Sequence, residues 1–314
     1  MSLASSEAVS PMERDLLVQL SNRWGKRVAV KRDELDLDGH FDAARPDFPE
    51  HMVPLPWLTG RGALDLEARQ KILGAAWIAY NAKTSAVEEE IVLPACQLML
   101  RDDLLPGRRD DVAKGALRQT IIDEHYHILM CHNAAAVTRR RRELGDLDFT
   151  TDNWSVVRGL NEARRNISPT DANLVLLAFS LAAETTISDF LMAVSKDYDI
   201  QSMNRLTVEL HRQDESGHAV AFRELVGAVY RELAPAERDL FKNALADGLA
   251  AFRSADLAPW PAVAAVGDLT VSPEELAEAT AALPAPFRDS GPLRRLLMDL
   301  GIVAEFDKFD KFEL

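Results

Sequence analysis

The chain has 314 residues, 47% of them hydrophobic and 27% charged, which is typical of a globular protein with a sizeable core. Its formal net charge of −14 at pH 7 argues against a nucleic-acid-binding surface, because binding phosphates requires clustered lysine and arginine. Two cysteines are too few for a disulfide framework. No basic segment followed by an apolar one opens the chain, and no run of 18 residues is both apolar and uncharged. We therefore expect a cytoplasmic protein that binds neither nucleic acid nor a membrane.

Helix signals dominate the chain. The segment Ser10-Pro11-Met12-Glu13 has the form of a capping box with proline at the first helical position, and it predicts a short amphipathic helix. Residues 31–62 contain four prolines and predict an irregular surface arm. A long helix is expected over about 65–100, with a kink at Pro94, which lacks a backbone donor.

The rest of the chain continues the helical pattern. Further long helices are expected over about 110–144, 168–196 and 201–233, with a linker over 145–168. Shorter helices are expected over about 236–253, 273–283 and 291–300. Four long helices joined by short-to-medium connections predict an all-α fold, with a ferritin-like four-helix bundle and peripheral helices.

The expected domain organisation is a single domain covering 1–314. Its bundle core would cover about 65–233. An N-terminal arm, 1–64, and C-terminal helices, 234–314, would pack on that core.

Two copies of the pattern D-E-x-x-H carry the strongest functional signal, at Asp123–His127 and Asp214–His218. Both lie inside long predicted helices, where side chains at i and i+3 share one face, so each Glu and His can bind the same metal or metal pair. A chain of this composition contains roughly 0.5 E-x-x-H matches by chance, and far fewer with the leading Asp. Two such copies, with one Glu from each of two further helices, form the ligand set of carboxylate-bridged di-metal bundles.

His211 extends the second copy. His211, Glu215 and His218 occupy positions i, i+4 and i+7, a single stripe that can converge on one ion. The first copy supplies Glu124 and His127. A lone histidine is more often a hydrogen-bonded core or surface residue, but here three of seven histidines fall at ligand spacing to a glutamate, which favours metal binding.

Glu184 is the most informative single carboxylate. Its helical neighbours Leu177, Leu181, Ile187 and Leu191 place it in a stripe that should be core. An ionised carboxylate there costs several kcal/mol unless it is paired or metal-bound. A buried salt bridge to an arginine is the alternative.

The first long helix offers three adjacent glutamates. Glu90 shares its face with Lys83 and Gln97, so it is expected to face solvent. Periodicity alone does not choose between Glu88 and Glu89. Small residues one and two turns from Glu89 leave room for a metal, and Glu89 is taken as the candidate.

The candidate ligands are therefore Glu89, Glu124, His127, Glu184, His211, Glu215 and His218. Such mixed oxygen and nitrogen ligation suits two iron ions, or two manganese ions, and no thiolate pattern indicates structural zinc. Glu124 and Glu215 are the expected bridges. Asp123 and Asp214 are expected to hydrogen-bond to ligating imidazoles, which fixes the tautomer, although surface positions are the alternative.

These residues resemble the p-aminobenzoate N-oxygenase family of non-haem di-iron enzymes over roughly residues 70–230. The resemblance rests on Glu89 ahead of Ile91-Val92-Leu93-Pro94, on Asp123–His127, on Glu184 in its apolar helix, and on His211-x3-Glu215-x2-His218. It implies two iron ions, O₂ as co-substrate, and an amine substrate oxidised to a hydroxylamine, nitroso or nitro product. No glycine-rich dinucleotide motif or four-cysteine cluster marks an electron donor, so an external donor is expected.

Other functions stay open at the level of sequence. The same scaffold supports di-iron C–H hydroxylation, desaturation or oxidative C–C cleavage, and a non-enzymatic, ferritin-like iron-binding protein is a further alternative. Substrate identity and the final oxidation level of nitrogen are not fixed by these residues. A homodimer is compatible with the sequence.

Overall fold

The computed structural model describes residues 10–55, 64–101, 110–281 and 291–302. The α-helices among these residues are α1 (Pro11–Arg27), α2 (Leu66–Val87), α3 (Leu93–Arg101), α4 (Asp111–Arg141), α5 (Ser155–Ala163), α6 (Pro169–Ser195), α7 (Ser202–Glu232), α8 (Pro235–Arg253), α9 (Trp260–Ala265), α10 (Pro273–Ala281) and α11 (Gly291–Asp299). A π-helical turn, π1 (Glu88–Val92), joins α2 to α3. None of the described residues forms a strand, and the all-α prediction is confirmed.

Four helical segments form the bundle: α2 continued through π1 and α3, then α4, α6 and α7. α2 packs against α4, α4 against α7, and α6 against α7, while π1 contacts both α4 and α6. The predicted four-helix bundle is therefore confirmed. Outside it, α1 lies on α4 and α7, and α8 packs along α6.

One continuous cluster of buried apolar side chains fills the bundle and extends into the flanking helices. It contains Trp77 of α2, Phe179 of α6 and Phe222 of α7, together with Leu17 of α1 and Phe241 of α8, all of them at most 1% exposed. The shared core explains how helices outside the bundle are held on it. The domain limits given above stay a prediction.

Helix α6 is the most apolar element, and by length and composition it could cross a membrane. In the 18-residue window that meets this test, 78% of the residues are buried inside the protein. It contacts α7 on one side and α8 on another. The apolar surface of α6 is thus covered by neighbouring helices, as expected for the central helix of a bundle.

The arm is tied to the C-terminal end of α4 by a buried ion pair. Arg142 Nε lies 2.7 Å from Asp47 Oδ2, and Thr138 Oγ1 donates to Asp47 Oδ1 at 3.0 Å. Arg142 also donates to the carbonyl of Ala43 and to Gln70 Oε1. These contacts fix residues 42–47 against the bundle without regular secondary structure.

Three features differ from the sequence prediction. The expected linker over 145–168 contains helix α5, and residues 254–272, between two of the predicted helices, contain the short helix α9. Instead of a simple kink at Pro94, the chain forms π1, in which the Leu93 N–H donates to the carbonyl of Glu88, five residues back. The capping box at Ser10 and Glu13 is confirmed. Residues 56–62 of the expected arm, and residues 303–314, lie outside the described residues.

Candidate metal centre

Acidic and imidazole side chains from four elements meet in the middle of the bundle. They form two overlapping groups, Glu88, Glu124, His127, His211 and Glu215, and Glu124, Glu184, Glu215 and His218, in each of which the ligand atoms lie within 4.8 Å of one another. None of these residues is more than 3% exposed. We call these seven residues the cluster.

Two carboxylates belong to both groups, Glu124 and Glu215. Glu124 lies between two imidazoles, with Oε2 2.9 Å from His127 Nδ1 and Oε1 2.8 Å from His218 Nδ1. Glu215 Oε1 lies 2.9 Å from His211 Nε2 and 3.3 Å from His127 Nδ1. Both glutamates therefore occupy the position of ligands that could be shared by two ions.

Several buried oxygen and nitrogen atoms of the cluster have no hydrogen-bond partner among the described residues. They include both carboxylate oxygens of Glu184. Burial raises the pKa of Glu184 well above its usual range, and repulsion by Glu215 adds to this effect. His218 Nδ1 also lacks a hydrogen bond, although it lies only 2.8 Å from Glu124 Oε1. Buried groups of this kind are costly unless a cation satisfies them, so the donor set fits metal ions.

A family model described as p-aminobenzoate N-oxygenase AurF matches residues 10–300 of the chain. The chain belongs to this family. A relative, the 4-aminobenzoate N-oxygenase of Streptomyces thioluteus, is 29% identical over 243 residues, which are 77% of this chain and 72% of that protein. The resemblance that the motifs indicate is confirmed, and the chain is an oxidoreductase of the AurF family.

In this AurF-family chain, six of the seven expected ligands lie in the cluster and one does not. Glu89, the choice made from the small-residue stripe, is exposed. Glu88, the alternative that periodicity left open, is 2% exposed, and its Oε1 lies 3.4 Å from His211 Nε2. Glu88, and not Glu89, is therefore the candidate ligand from this run of glutamates. Glu90 is exposed, as expected.

The turn π1 explains why the sequence pattern pointed to the wrong glutamate. Before π1, the partly buried Ala82 and Ser85 share one side of the helix with the exposed Glu89 at ordinary spacing. Cys96, which ordinary spacing places on the same side as Glu89, is fully buried. A π-turn adds one residue to the helix and shifts the register by that amount. The stripe used to select Glu89 therefore combines two different faces.

Each D-E-x-x-H motif holds the histidine of the other. Asp123 Oδ2 lies 3.1 Å from His218 Nε2, and Asp214 Oδ2 lies 3.3 Å from His127 Nε2. Both aspartates are 1% exposed. When a carboxylate accepts the Nε2 proton, the Nδ1 lone pair is left to face the cluster, so both residues can orient an imidazole.

Helix α1 and the residues just after it hold these aspartates from outside the bundle. The indole Nε1 of Trp24 donates to both oxygens of Asp123, at 3.0 and 2.9 Å, and the backbone N–H of Ala29 donates to Asp214 Oδ2 at 3.0 Å. Arg27 Nη1 lies 3.5 Å from Asp214 Oδ1. The sequence prediction missed this role, because an N-terminal amphipathic helix carries no signal of its partners, which lie 99 and 185 residues away.

The electrostatics of the cluster favour uptake of positive charge. Burial and the adjacent imidazole of His211 lower the pKa of His127, but hydrogen bonds with Asp214, Glu124 and Glu215 outweigh them and raise it to about 10. The metal-free cluster thus holds protons on its imidazoles at neutral pH. Divalent cations would take the place of those protons.

A cavity of about 830 Å³ lies beside the cluster, between α2, α6 and the end of α8. The cluster residues do not line it. Lys83 in its wall precedes Glu88 by five residues, and Asp189 follows Glu184 by five residues. At 1.5 Å per residue, these nearest lining residues lie roughly 7–8 Å from the cluster along each helix, and the other lining residues of α2 and α6 lie farther away.

Proposed function

We propose that this AurF-family chain is a di-iron N-oxygenase that uses O₂ to oxidise an aryl amine. The observation that carries the proposal is the cluster, a buried set of four carboxylates and three imidazoles in which two carboxylates belong to both groups. This donor set is typical of iron and manganese pairs in helical bundles. Iron is favoured over manganese because the family name describes an oxygenation.

Glu124 and Glu215 would bridge the two ions. One ion would be held further by Glu88, His127 and His211, and the other by Glu184 and His218. Asp123 and Asp214 would accept the second imidazole proton of His218 and His127, and so keep both rings aimed at the ions.

The reaction needs three things from the protein: positioned ligands, a dry surrounding and a place for the amine. When bound, the iron pair supplies activation of O₂ and the associated redox change. One oxygen atom of O₂ is transferred to nitrogen and converts an amine into a hydroxylamine, while two electrons and two protons reduce the other to water. The buried position of the cluster excludes bulk water from this step. The electrons would come from an external donor.

The name of the Streptomyces thioluteus relative suggests an aryl amine of the aminobenzoate type as substrate. Further oxidation to the nitroso or nitro level would repeat the same chemistry on the hydroxylamine. A cytoplasmic location and a homodimer remain proposals that rest on the sequence alone.

The test is product analysis with labelled oxygen. Protein loaded with iron and reduced should convert an aryl amine into a product with oxygen from ¹⁸O₂ on nitrogen. Glu215→Ala should abolish this reaction, and Glu90→Ala should not, because Glu90 is exposed and outside the cluster.

Other outcomes would assign other functions. Label found only on carbon would indicate hydroxylation, and an unlabelled alkene would indicate desaturation. Iron uptake without any product, in a large shell-like assembly, would indicate ferritin-like storage.

A further inference from the structure

The end of helix α1 and the residues just after it form a basic surface on an acidic protein. Residues 23–32 contain five basic side chains and no acidic one, whereas the whole chain has a net charge of −14. Four of the five are exposed, and only Arg27, the fifth, forms an ion pair among the described residues. We call the four exposed residues the basic patch; they are Arg23, Lys26, Lys31 and Arg32.

The other dense basic run of the chain, at the end of α4, is neutralised. Each of its four arginines lies within ion-pair distance of an aspartate; they are Arg139, Arg140, Arg141 and Arg142. A charge that is already paired attracts a further partner only weakly. The basic patch differs from this run, because its positive charges are not paired with acidic side chains among the described residues.

Trp24 lies within the basic patch and begins a hydrogen-bonded path to the cluster. Lys31 Nζ lies 5.1 Å from the centroid of the Trp24 ring, which is half-buried. The indole Nε1 donates to Asp123 Oδ2 at 2.9 Å, and the same oxygen lies 3.1 Å from His218 Nε2. The other ring nitrogen of His218 lies 2.8 Å from Glu124 Oε1, inside the cluster. Three side chains in contact thus connect the surface to a candidate iron ligand.

Such a path matters because the cluster itself is out of reach of a donor protein. Its residues are at most 3% exposed, so a donor that stays on the surface cannot touch them. The probability of electron tunnelling falls steeply with each gap between atoms. Hydrogen bonds keep the gaps from Trp24 to Asp123 and from Asp123 to His218 short.

Charge determines which donor can approach this place. An acidic protein is repelled by the net charge of the chain and is attracted where unpaired basic side chains lie together. Electron-transfer complexes have small interfaces, so a few charges beside an aromatic ring are sufficient. The basic patch therefore fits a small acidic partner.

We propose that the basic patch is the docking surface for an acidic protein that carries one electron at a time, and that electrons pass through Trp24, Asp123 and His218 to the iron pair. In each encounter the reduced carrier loses one electron and one iron(III) ion becomes iron(II). Two encounters therefore reduce the pair. The inference rests on the proposed function, which requires an external donor, and it names the chemistry of that donor and its place of contact.

Docking is measured first, without electron transfer. The probe is an oxidised acidic [2Fe–2S] ferredoxin, titrated into iron-loaded protein by calorimetry. Binding should weaken about tenfold as salt is raised from about 20 to about 300 mM, because exposed charges are screened. Arg23→Glu combined with Lys26→Glu should weaken binding about tenfold at the lower salt concentration, because attraction is replaced by repulsion.

Arg165→Glu is the matched control for the docking test. It makes the same change of charge at an exposed arginine just after α5, which packs on α6 and α8, whereas α1 lies on α4 and α7. Ferredoxin binding should be unchanged in this variant. Lys26 lies in the last turn of α1, where a basic residue favours the helix end. Arg23→Glu alone keeps the test informative if Lys26→Glu disturbs that end.

The path is tested by anaerobic stopped-flow mixing of reduced ferredoxin with protein saturated with iron(III). The visible absorption of ferredoxin reports its oxidation. Trp24→Phe should slow the first-order electron transfer within the complex and leave the dissociation constant of ferredoxin unchanged, because it removes only the hydrogen bond to Asp123. Reduction by a viologen radical, a small dye that needs no docking surface, should have the same rate in both proteins.

Three results would overturn the inference. The first is ferredoxin binding that is absent or unaffected by the changes at Arg23 and Lys26. The second is a Trp24→Phe protein that accepts electrons at the full rate, or that is slowed equally with ferredoxin and dye. The third is a short DNA duplex that binds the basic patch as tightly as ferredoxin, since the patch would then attract any polyanion.

The outcome is separable from that of the labelled-oxygen test. Docking and electron transfer are both measured without amine and without O₂. If both occur as expected and no amine is oxygenated, the docking surface stands and the proposed function falls. If an amine is oxygenated but ferredoxin does not bind the basic patch, the proposed function stands and this inference falls.

Discussion

At the scale of single residues, the cluster depends on which glutamate of the run Glu88-Glu89-Glu90 faces inward. Glu88 is buried against His211, while its two neighbours are exposed. An inward carboxylate adds a ligand to one ion, whereas an exposed carboxylate is well hydrated and contributes little. The run therefore provides its own controls, because the three positions have the same side chain.

Glu88→Ala should lower the iron content measured by elemental analysis, while Glu89→Ala should leave it unchanged. The physical reason is that only Glu88 lies within ligand distance of the other cluster residues. The opposite result, loss of iron in Glu89→Ala with full iron in Glu88→Ala, would show that the register of π1 differs from the one described.

A second prediction concerns Trp24, whose indole holds Asp123 in place. Trp24→Phe removes the donor and keeps most of the apolar surface. Iron affinity should fall about tenfold, because groups that orient ligating residues commonly have effects of that size. Trp260 is also a half-buried indole and lies outside the cluster, so Trp260→Phe is the control and should leave iron affinity unchanged. If the unaltered protein and both variants bound iron with equal affinity, Trp24 would have only a packing role.

Most of the cluster could be predicted from the sequence, and the exception has a definite cause. Glu124, His127, Glu215 and His218 follow ordinary helical spacing, which the motifs carry explicitly. Glu88 could not be chosen in the same way, because the extra residue of π1 is a property of backbone hydrogen bonding. No spacing rule for regular helices contains it.

At the scale of elements, helix α8 reaches α6 through a close contact at Gly248. A Cβ at this position would lie 3.2 Å from Ala182 Cβ and 3.3 Å from Phe179 Cα. Glycine therefore allows the two helix backbones to approach. This contact lies on the helix that carries Glu184, so α8 supports the cluster from behind.

Gly248→Val should lower the free energy of unfolding by about 1–3 kcal/mol, the usual effect of overpacking a core contact. Gly115→Val is the matched control, because a Cβ there meets no atom within 4 Å. Both substitutions change intrinsic helix propensity equally. The difference between their free energies of unfolding, measured by denaturant titration, therefore reports the steric clash of the side chain added at position 248 with α6 alone. Equal stabilities would show that α8 moves away from α6 without cost.

The long helices were predictable within a few residues, because caps and periodicity coincide at their ends, as at Ser168 before α6. Helix α5 was not predicted, since it has nine residues and lies between stretches rich in polar residues. Val156, Val157 and Leu160 give it an amphipathic pattern, but a helix this short is stable only with tertiary contacts, here those with α6 and α8.

At the scale of the whole molecule, the cluster joins elements that are far apart in sequence. Its ligands lie between residues 88 and 218, on π1, α4, α6 and α7. Ions that bind only the folded arrangement stabilise it through mass action. The same ions must displace protons from histidines whose pKa values the cluster raises.

Loading with Fe(II) should therefore release protons at pH 7. The pKa of His127 is raised to about 10, so its ring is protonated in the metal-free protein and must lose a proton to bind. Apparent iron affinity should consequently fall as pH is lowered from 8 to about 6.5. Anaerobic calorimetry in buffers of different ionisation enthalpy counts the protons, and proton uptake on loading would contradict this account of the cluster.

The most direct test of the central claim is the location of iron in crystals of iron-loaded protein, by anomalous scattering at the iron edge. The account predicts two peaks inside the bundle, both within bonding distance of Glu124 and Glu215, with Glu88, His127 and His211 on one ion and Glu184 and His218 on the other. A single peak, a zinc edge in place of iron, or no peak within the cluster would contradict it.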